Sequence, residues 1–444
     1  MTDAPSWWWA DLGGLPAPRP GLDGDREADV CIVGAGYTGL WTAYELLRAD
    51  PSLAVVVLER EVAGFGASGR NGGWVLGEVS TGSRQRQAAG EAAVAALERA
   101  IRETVDEVGV ACAREGIDCD FVKGGSLTVA QTEPQLARLR AAPRGELLDV
   151  DEAAARMRVA GLRGARFTPH CARVQPAKLV RGLAAAVERH GGTIHERTAA
   201  LDLSPRSVRT ASGIVRARWV VRATEGYTAA LPGLERALLP LSSSMIVTEP
   251  LDAATWAQIG WAGCETLDDA AHAYVYAQRT ADGRIAIGGR GRPYRFGSGT
   301  DRAGEIPEAT VRELRARLTR LFPVLRDVRL DGAWTGVFGV ARDWAAAVHC
   351  DRDSGLCWAG GYAGEGVAAA NLAARTLRDL ILGHDTELAR LPWVGHRARG
   401  WEPEPLRWLA VQTVYRAFRA ADAIEDRTGR ASWLAGAAGA LAGR

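Results

Sequence analysis

Three glycine-rich stretches carry most of the chemistry open to this sequence. In the first, Gly34, Ala35, Gly36, Tyr37, Thr38 and Gly39 (GAGYTG) follow an apolar run at residues 29–33 and lead into a helical pattern through Leu40, Ala43, Leu46 and Leu47. Strand, glycine turn and helix in that order suit a dinucleotide. Gly34 permits a tight turn, Gly36 lets backbone approach a pyrophosphate, and Gly39 allows close helix-to-strand packing, with the diphosphate on the helix N-terminus. Residues 53–58 (LAVVVL) predict a second parallel strand, and Glu59, twenty residues after Gly39, stands where an acid accepts a ribose hydroxyl. The second stretch, residues 64–73 (GFGASGRNGG), begins soon after Arg60. A nicotinamide-binding half-domain has no need of it. Its small residues let a long extended cofactor lie against backbone, while Ser68, Arg70 and Asn71, set among Gly69, Gly72 and Gly73, offer polar groups to phosphate or ribityl oxygens.

The third stretch lies in residues 356–382, which read as a short strand, then Gly360, Gly361, Tyr362, Gly364, Glu365, Gly366 and Val367, then an alanine-rich helix. A helix N-terminus led by glycines concentrates free N–H groups and positive dipole, suited to the negative charge that gathers at N1 and O2 of a reduced flavin. Candidates for substrate contact are sparser. Tyr274 and Tyr276 alternate so that both hydroxyls share one face of a strand. Arg290, just beyond the partner strand, could grip a carboxylate in bidentate fashion, and Arg342 and Asp343 precede the third glycine stretch. Glu249 and Glu365 are carboxylates that could suit a polyamine. A rim position or a salt bridge explains each of these equally well. No nucleophilic triad and no paired carboxylates stand out as general acid and base.

The string GASGRNGG, set between the GAGYTG fingerprint and the C-terminal glycine motif, resembles the D-amino-acid oxidase superfamily of FAD-dependent amine oxidoreductases. Within it, the closest likeness is to the gamma-glutamylputrescine oxidase branch. The resemblance implies FAD, oxidation of an amine or amino-acid carbon to an imine by hydride transfer to flavin N5, hydrolysis of that imine, and reoxidation by oxygen or another acceptor. It also implies that Val174 gives backbone bonds to adenine, that Ala223 and Thr224 in RATEG form a turn near the flavin, and that an antiparallel sheet roofs the ring and carries the substrate pocket. Some relatives attach flavin through a histidine in the second glycine stretch, where Arg70 stands here, and others through a cysteine that residues 333–340 lack; non-covalent FAD is therefore expected. A lysine beside the flavin assists oxygen in some relatives, yet only Lys123 and Lys178 exist, which leaves oxidase and dehydrogenase both open. A flavoenzyme acting on a hydroxy acid and a non-catalytic flavin-binding protein are the alternatives.

The elements that must position these residues can be read in outline. With 444 residues and 47% apolar content, the chain can build two or three domains with sizeable cores. The expected fold is α/β: an FAD-binding Rossmann-like domain (1–80, 145–226 and 334–385), an antiparallel-sheet α+β substrate domain (81–144 and 227–333) and a C-terminal helical tail (386–444). Helices are predicted over 85–116, with Ala93, Leu97, Ile101, Val105 and Val108 inward, from Pro176 to the glycines at 191–192, over 307–321, and over 406–421 with Leu409, Val414 and Phe418 on one side. Residues 121–130 read as a hairpin turning at Gly124 and Gly125, and Ala281-Asp282-Gly283 as a turn joining two strands. Trp7, Trp8 and Trp9 read as an aromatic anchor laid over the same chain rather than a membrane surface.

Charge and cysteine usage exclude other classes. Lys+Arg 54 against Asp+Glu 53 leaves +1, which calls for neither nucleic acid nor an acidic membrane. The abundance of arginine, alanine and glycine suggests a GC-rich bacterial coding bias. Seven scattered cysteines with no CxxC pair suit reduced thiols and offer no zinc site. With no secretory pattern at the N-terminus and no apolar run of 18 residues, a cytoplasmic location is expected.

Overall fold

The computed structural model describes residues 4–300, 304 and 306–443. The fingerprint strand Arg26–Val33 lies at the middle of a sheet whose order is Ala347–Cys350, Leu356–Gly360, Ile214–Arg222, Arg26–Val33, Val55–Leu58, Thr193–His195. All pairs along this path are parallel except the first, Ala347–Cys350 against Leu356–Gly360. Period-two alternation sorts its side chains. Val30 and Ile32 pack with the helices Tyr37–Ala49, Pro176–Arg189 and Gly366–Leu382, while Cys31 and Val33 pack on the other face with Val208, Val215 and Val220.

A second sheet roofs the first. Its order is Leu330–Val340, Leu239–Thr248, Ile285–Gly289, Val275–Arg279, Thr266–Asp269, Ser126–Ala130, Gly164–Thr168, Glu146–Leu148. It is antiparallel apart from the pairing of Thr266–Asp269 with Ser126–Ala130. One face buries Leu127, Leu267, Val275, Ala277, Ile285 and Ile287 against Leu314 and Leu318 of the helix Glu308–Leu321. The opposite face looks down on the first sheet. The expected α/β architecture with an antiparallel roof is the one the chain adopts.

Several local expectations need correction. Residues 121–130 form no hairpin: Val122 bridges to Arg173, whereas Ser126–Ala130 joins the roof sheet. The long helix is broken in two, Ser83–Ala89 and Glu91–Glu115, because Gly90 between them has φ +81°. Val94 rather than Ala93 takes the inward position above Leu97. The strands Glu146–Leu148 and Gly164–Thr168 pair in the roof, so the stretch from 145 to about 168 does not sit with the nucleotide sheet as the expected boundary had it, and Leu330–Val340 likewise carries the roof beyond 334.

Both ends of the chain fold back on the body. Trp8 and Trp9 are fully buried; the Trp8 indole donates to the Asn71 carbonyl at 2.8 Å and meets Trp334 edge-on at 5.8 Å. The tail forms the helices Leu406–Thr428 and Trp433–Ala442. Val414 and Phe418 are inward as expected, but Leu409 is exposed and Val411 takes its place. Arg138 and His272 bond Glu425, and Asp422 accepts from the N–H groups of His272 and Ala273, which ties this helix to the roof. All seven cysteines are free thiols. Among the described residues no helix is long and apolar enough to cross a membrane.

Candidate active site

The carboxyl ends of the parallel strands open into a cavity of about 910 Å³ that runs up to the roof. Such crevices beyond strand ends are where open α/β sheets bind ligands. Gly34 has φ +107°, and a Cβ there would sit 2.6 Å from the Ala223 carbonyl. At Gly39 a Cβ would come to 1.9 Å from the Gly34 carbonyl oxygen, so only glycine lets the helix approach the strand this closely. Gly36, Tyr37 and Thr38 line the cavity at the helix N-terminus, and Ser68 Oγ accepts the Tyr37 N–H at 2.8 Å. Ala35 lies behind them, its N–H on Glu59 at 2.8 Å. Glu59 also accepts from Glu61 N at 2.9 Å; burial raises its carboxyl, against these two backbone bonds.

A second helix N-terminus meets the same space. Tyr362, Gly364, Glu365, Gly366 and Val367 line it, and the Tyr362 hydroxyl bonds Thr38 Oγ1 at 3.1 Å, joining the two glycine motifs directly. Gly361 does not line the cavity. Its N–H and that of Tyr362 point at the Glu225 carboxylate, which also accepts from Gly339, while Ala223 and Thr224 beside it do line the wall. Burial pushes the Glu225 carboxyl up to about 7.

The second glycine stretch serves two purposes. Arg60, Ser68, Arg70, Asn71 and Gly72 line the cavity, yet Arg70 Nε bonds Phe65 O at 2.8 Å and Asn71 Nδ2 bonds Ser68 O at 2.9 Å, so both side chains brace the loop. Gly69 and Gly73 face away: a Cβ would strike the Trp9 indole at 2.3 Å and Gln278 Nε2 at 2.0 Å, respectively. These glycines fit the loop to the amino-terminal anchor and to the roof rather than to a ligand.

Two more expected site residues lie elsewhere. Val174 has its N–H on Gly73 O at 2.8 Å and its carbonyl on Gln278 at 3.1 Å, away from the cavity wall. The segment that reaches the Glu59 end is Thr198-Ala199-Ala200, because Thr193–His195 is the strand next to Val55–Leu58. Arg342 is bonded through Nε to both Glu402 oxygens at 3.1 and 3.0 Å and stacks on Trp401; it holds the tail. Its neighbour Asp343 does line the cavity and is bonded to His396 at 2.8 Å.

The roof contributes Tyr274, Tyr276 and Arg290 from one face. Tyr276 OH bonds Ser243 Oγ at 2.8 Å, and its ring lies over Gly72. Arg290 donates to Tyr274 OH at 3.0 Å, stacks on Phe338 at 4.7 Å and has no carboxylate partner among the described residues. Sequence reasoning missed Asp268 and Glu78, which line the same cavity. Both Lys123 and Lys178 are paired with aspartates away from it.

A model of the family "FAD dependent oxidoreductase" matches residues 29–380 of this chain. The gamma-glutamylputrescine oxidoreductase of Escherichia coli (strain K12) is 31% identical over 401 residues, 86% of this chain and 90% of that protein. The chain belongs to the FAD-dependent oxidoreductase family. The fold agrees: glycine oxidase from Geobacillus kaustophilus superposes with a TM-score of 0.69 at 21% identity, covering 84% of this chain and 99% of that one. L-proline dehydrogenase from P. horikoshii gives 0.67 at 20% identity, covering 82% and 96%.

The residues present fit FAD. Two helix N-termini face one cavity, Glu59 lines it at the carboxyl end of the strand Val55–Leu58, and around Gly364 backbone is open, the nearest atom to a notional Cβ being 3.8 Å away. Tyr227, against Gly66 on the cavity wall and under the Arg60 guanidinium, has a buried hydroxyl with no hydrogen-bond partner among the described residues. A polar cofactor chain passing there would satisfy it.

Proposed function

We propose that this flavoenzyme oxidises a C–N bond of an amine or amino acid to an imine, which water then hydrolyses to a carbonyl compound and a free amine. FAD, when bound, accepts the hydride at N5. Arg290 carries the reading: an unpaired cation on the roof beside Gly364, held by Tyr274 and Phe338, where a substrate carboxylate would meet it. Tyr276, a phenol raised by burial, stays neutral and presents its hydroxyl together with Ser243 to a polar substrate group. The apolar rings of Trp74, Phe338 and Tyr276 exclude water around the reacting carbon. The chain's similarity to the E. coli gamma-glutamylputrescine oxidoreductase supports an amine over a hydroxy acid.

FAD is held non-covalently, since neither histidine nor cysteine lines the cavity among the described residues. With no lysine there either, an acceptor other than oxygen is as well supported as oxygen. An anaerobic panel of amines, amino acids and hydroxy acids, read by flavin bleaching at about 450 nm, tests the reaction. Bleaching by hydroxy acids alone, or by nothing, refutes it. Peroxide formed per turnover decides the acceptor, and flavin colour that stays with acid-precipitated protein refutes the non-covalent attachment.

A further inference from the structure

The strand Thr266–Asp269 holds two adjacent acids that the sheet sends to opposite faces. Asp269, on the core side, is fully used: it bonds Arg317 at 2.7 Å and accepts the Val275 N–H at 3.2 Å. Asp268, on the cavity side, has no cationic partner among the described residues, and its Oδ1 is buried without a hydrogen bond. Glu78, which follows the strand Trp74–Leu76 and lines the same cavity, is near enough for its charge to act on Asp268. An unpaired buried acid costs stability and persists where something else meets it.

The register gives its distance from the ring end of the cavity. Asp268 is paired with Tyr276, and Tyr276 with Gly288; Arg290 lies two residues further along that same face, next to Gly364. Two strand spacings and two residues along the strand separate Asp268 from Arg290, roughly 12 Å between their backbones. We propose that Asp268, assisted by Glu78, is the specificity residue that binds a second cationic group of the substrate, remote from the carbon that is oxidised. The substrate is then an amine carrying another ammonium or guanidinium group several bonds away. This rests on the proposed amine oxidation, whose site it completes.

The groups facing Asp268 explain how its charge responds to pH. Burial pushes its carboxyl up to about 8, the Thr128 hydrogen bond opposes this, and Asp269 and Glu78 add to it; Tyr276 is the neutral phenol alongside. The Asp268 carboxyl is thus largely protonated at neutral pH, and its affinity for a cation rises as the pH approaches 8.5. Alkylamines remain protonated there.

The test uses holoenzyme with its flavin reduced beforehand under anaerobic conditions, so that no turnover occurs, and calorimetric titration with 1,5-diaminopentane and 1-aminopentane. At pH 8.5 the wild type binds the diamine at least about tenfold more tightly, the size of one charge-assisted contact. In Asp268→Asn that ratio falls below about threefold and in Glu78→Gln it is intermediate, with 1-aminopentane bound equally by all three. The wild-type ratio falls at pH 6.5, while that of Asp268→Asn does not. A wild-type ratio near one, or a ratio that survives Asp268→Asn, overturns the proposal; should that variant misfold, a ratio untouched by Glu78→Gln does so. Bleaching of oxidised flavin by amines is scored separately. Bleaching without diamine preference sinks the subsite alone, and diamine preference without bleaching sinks the oxidation alone.

Discussion

Gly39→Ala places one methyl group where the helix and strand of the fingerprint touch. The new Cβ would lie 1.9 Å from the Gly34 carbonyl oxygen and 3.1 Å from Ile32 Cγ2, against a closest tolerable approach of about 3.0 Å, so the helix must move by about 1 Å. The obstructing atom is backbone, and no rotamer change relieves it. Alanine gains about 1 kcal/mol over glycine in a helix, while overpacking of this kind costs about 1–3 kcal/mol or more. The clash wins. Movement of the N-terminus would also spoil the N–H bonds it offers a pyrophosphate, each charge-assisted and worth about 1.5–3 kcal/mol, so FAD affinity should fall by at least about tenfold. Gly436, within the helix Trp433–Ala442, is the control, because its notional Cβ meets nothing within 4 Å. Gly436→Ala should therefore gain up to about 1 kcal/mol and bind FAD as the wild type does. Denaturant unfolding of the apoproteins and fluorescence titration with FAD read both effects. A Gly39→Ala protein with unchanged stability and FAD affinity, or a Gly436→Ala protein as damaged as Gly39→Ala, refutes the packing argument.

Four further outcomes are expected. Glu59→Gln removes the carboxyl proposed to accept a ribose hydroxyl and should weaken FAD binding about 10- to 150-fold by fluorescence titration. Arg290→Met should lower kcat/KM for amines bearing a carboxylate by a similar factor, leave other amines little changed, and not lower the melting temperature, since the cation it removes has no ionic partner among the described residues. Arg342→Ala should cost about 1–2 kcal/mol in denaturant unfolding through loss of the Glu402 and Ala442 contacts, with FAD affinity unchanged. The Asp268 carboxyl is raised from 3.8 to about 8, so the folded state binds more protons than the unfolded state across that window and wild-type apoprotein loses stability as pH rises through it. Asp268→Asn removes that loss. Its stability relative to wild type should climb between pH 6 and 8, by at most about 1.4 kcal/mol per unit, and level off above.

The cofactor half of the site was legible because its constraints are local. Gly34, Gly36 and Gly39 act within a single turn, and Glu59 follows at a distance fixed by one helix and one strand. Pro176 opened its helix and Gly283 closed its hairpin for the same reason, since a fixed φ or a positive φ is a property of one residue. Val174 misled because what lines the Glu59 end of the cavity depends on which strand lies next to Val55–Leu58. That strand is Thr193–His195, and strand order is a long-range choice that no window of residues encodes. Arg342 misled in another way: nearness in sequence to a glycine motif placed it beside the site, yet the tail, far along the chain, claims its guanidinium.

The roof shows the limit most clearly. Alternation within a strand put Tyr274 and Tyr276 on one face without any knowledge of the partner strands. The same alternation separates Asp268 from Asp269, but it cannot tell which of the two faces the cavity. That depends on Leu267 joining the core with Leu314 and Leu318, and on Arg317 reaching Asp269 from a helix some fifty residues later. Glu78 comes to the same cavity from nearly two hundred residues earlier in the chain. A cofactor fingerprint must hold one invariant molecule and can be written in one turn. A substrate pocket is assembled from residues that share nothing in sequence, and in this protein the proposed use of the pocket rests on an acid that has no cationic partner among the described residues.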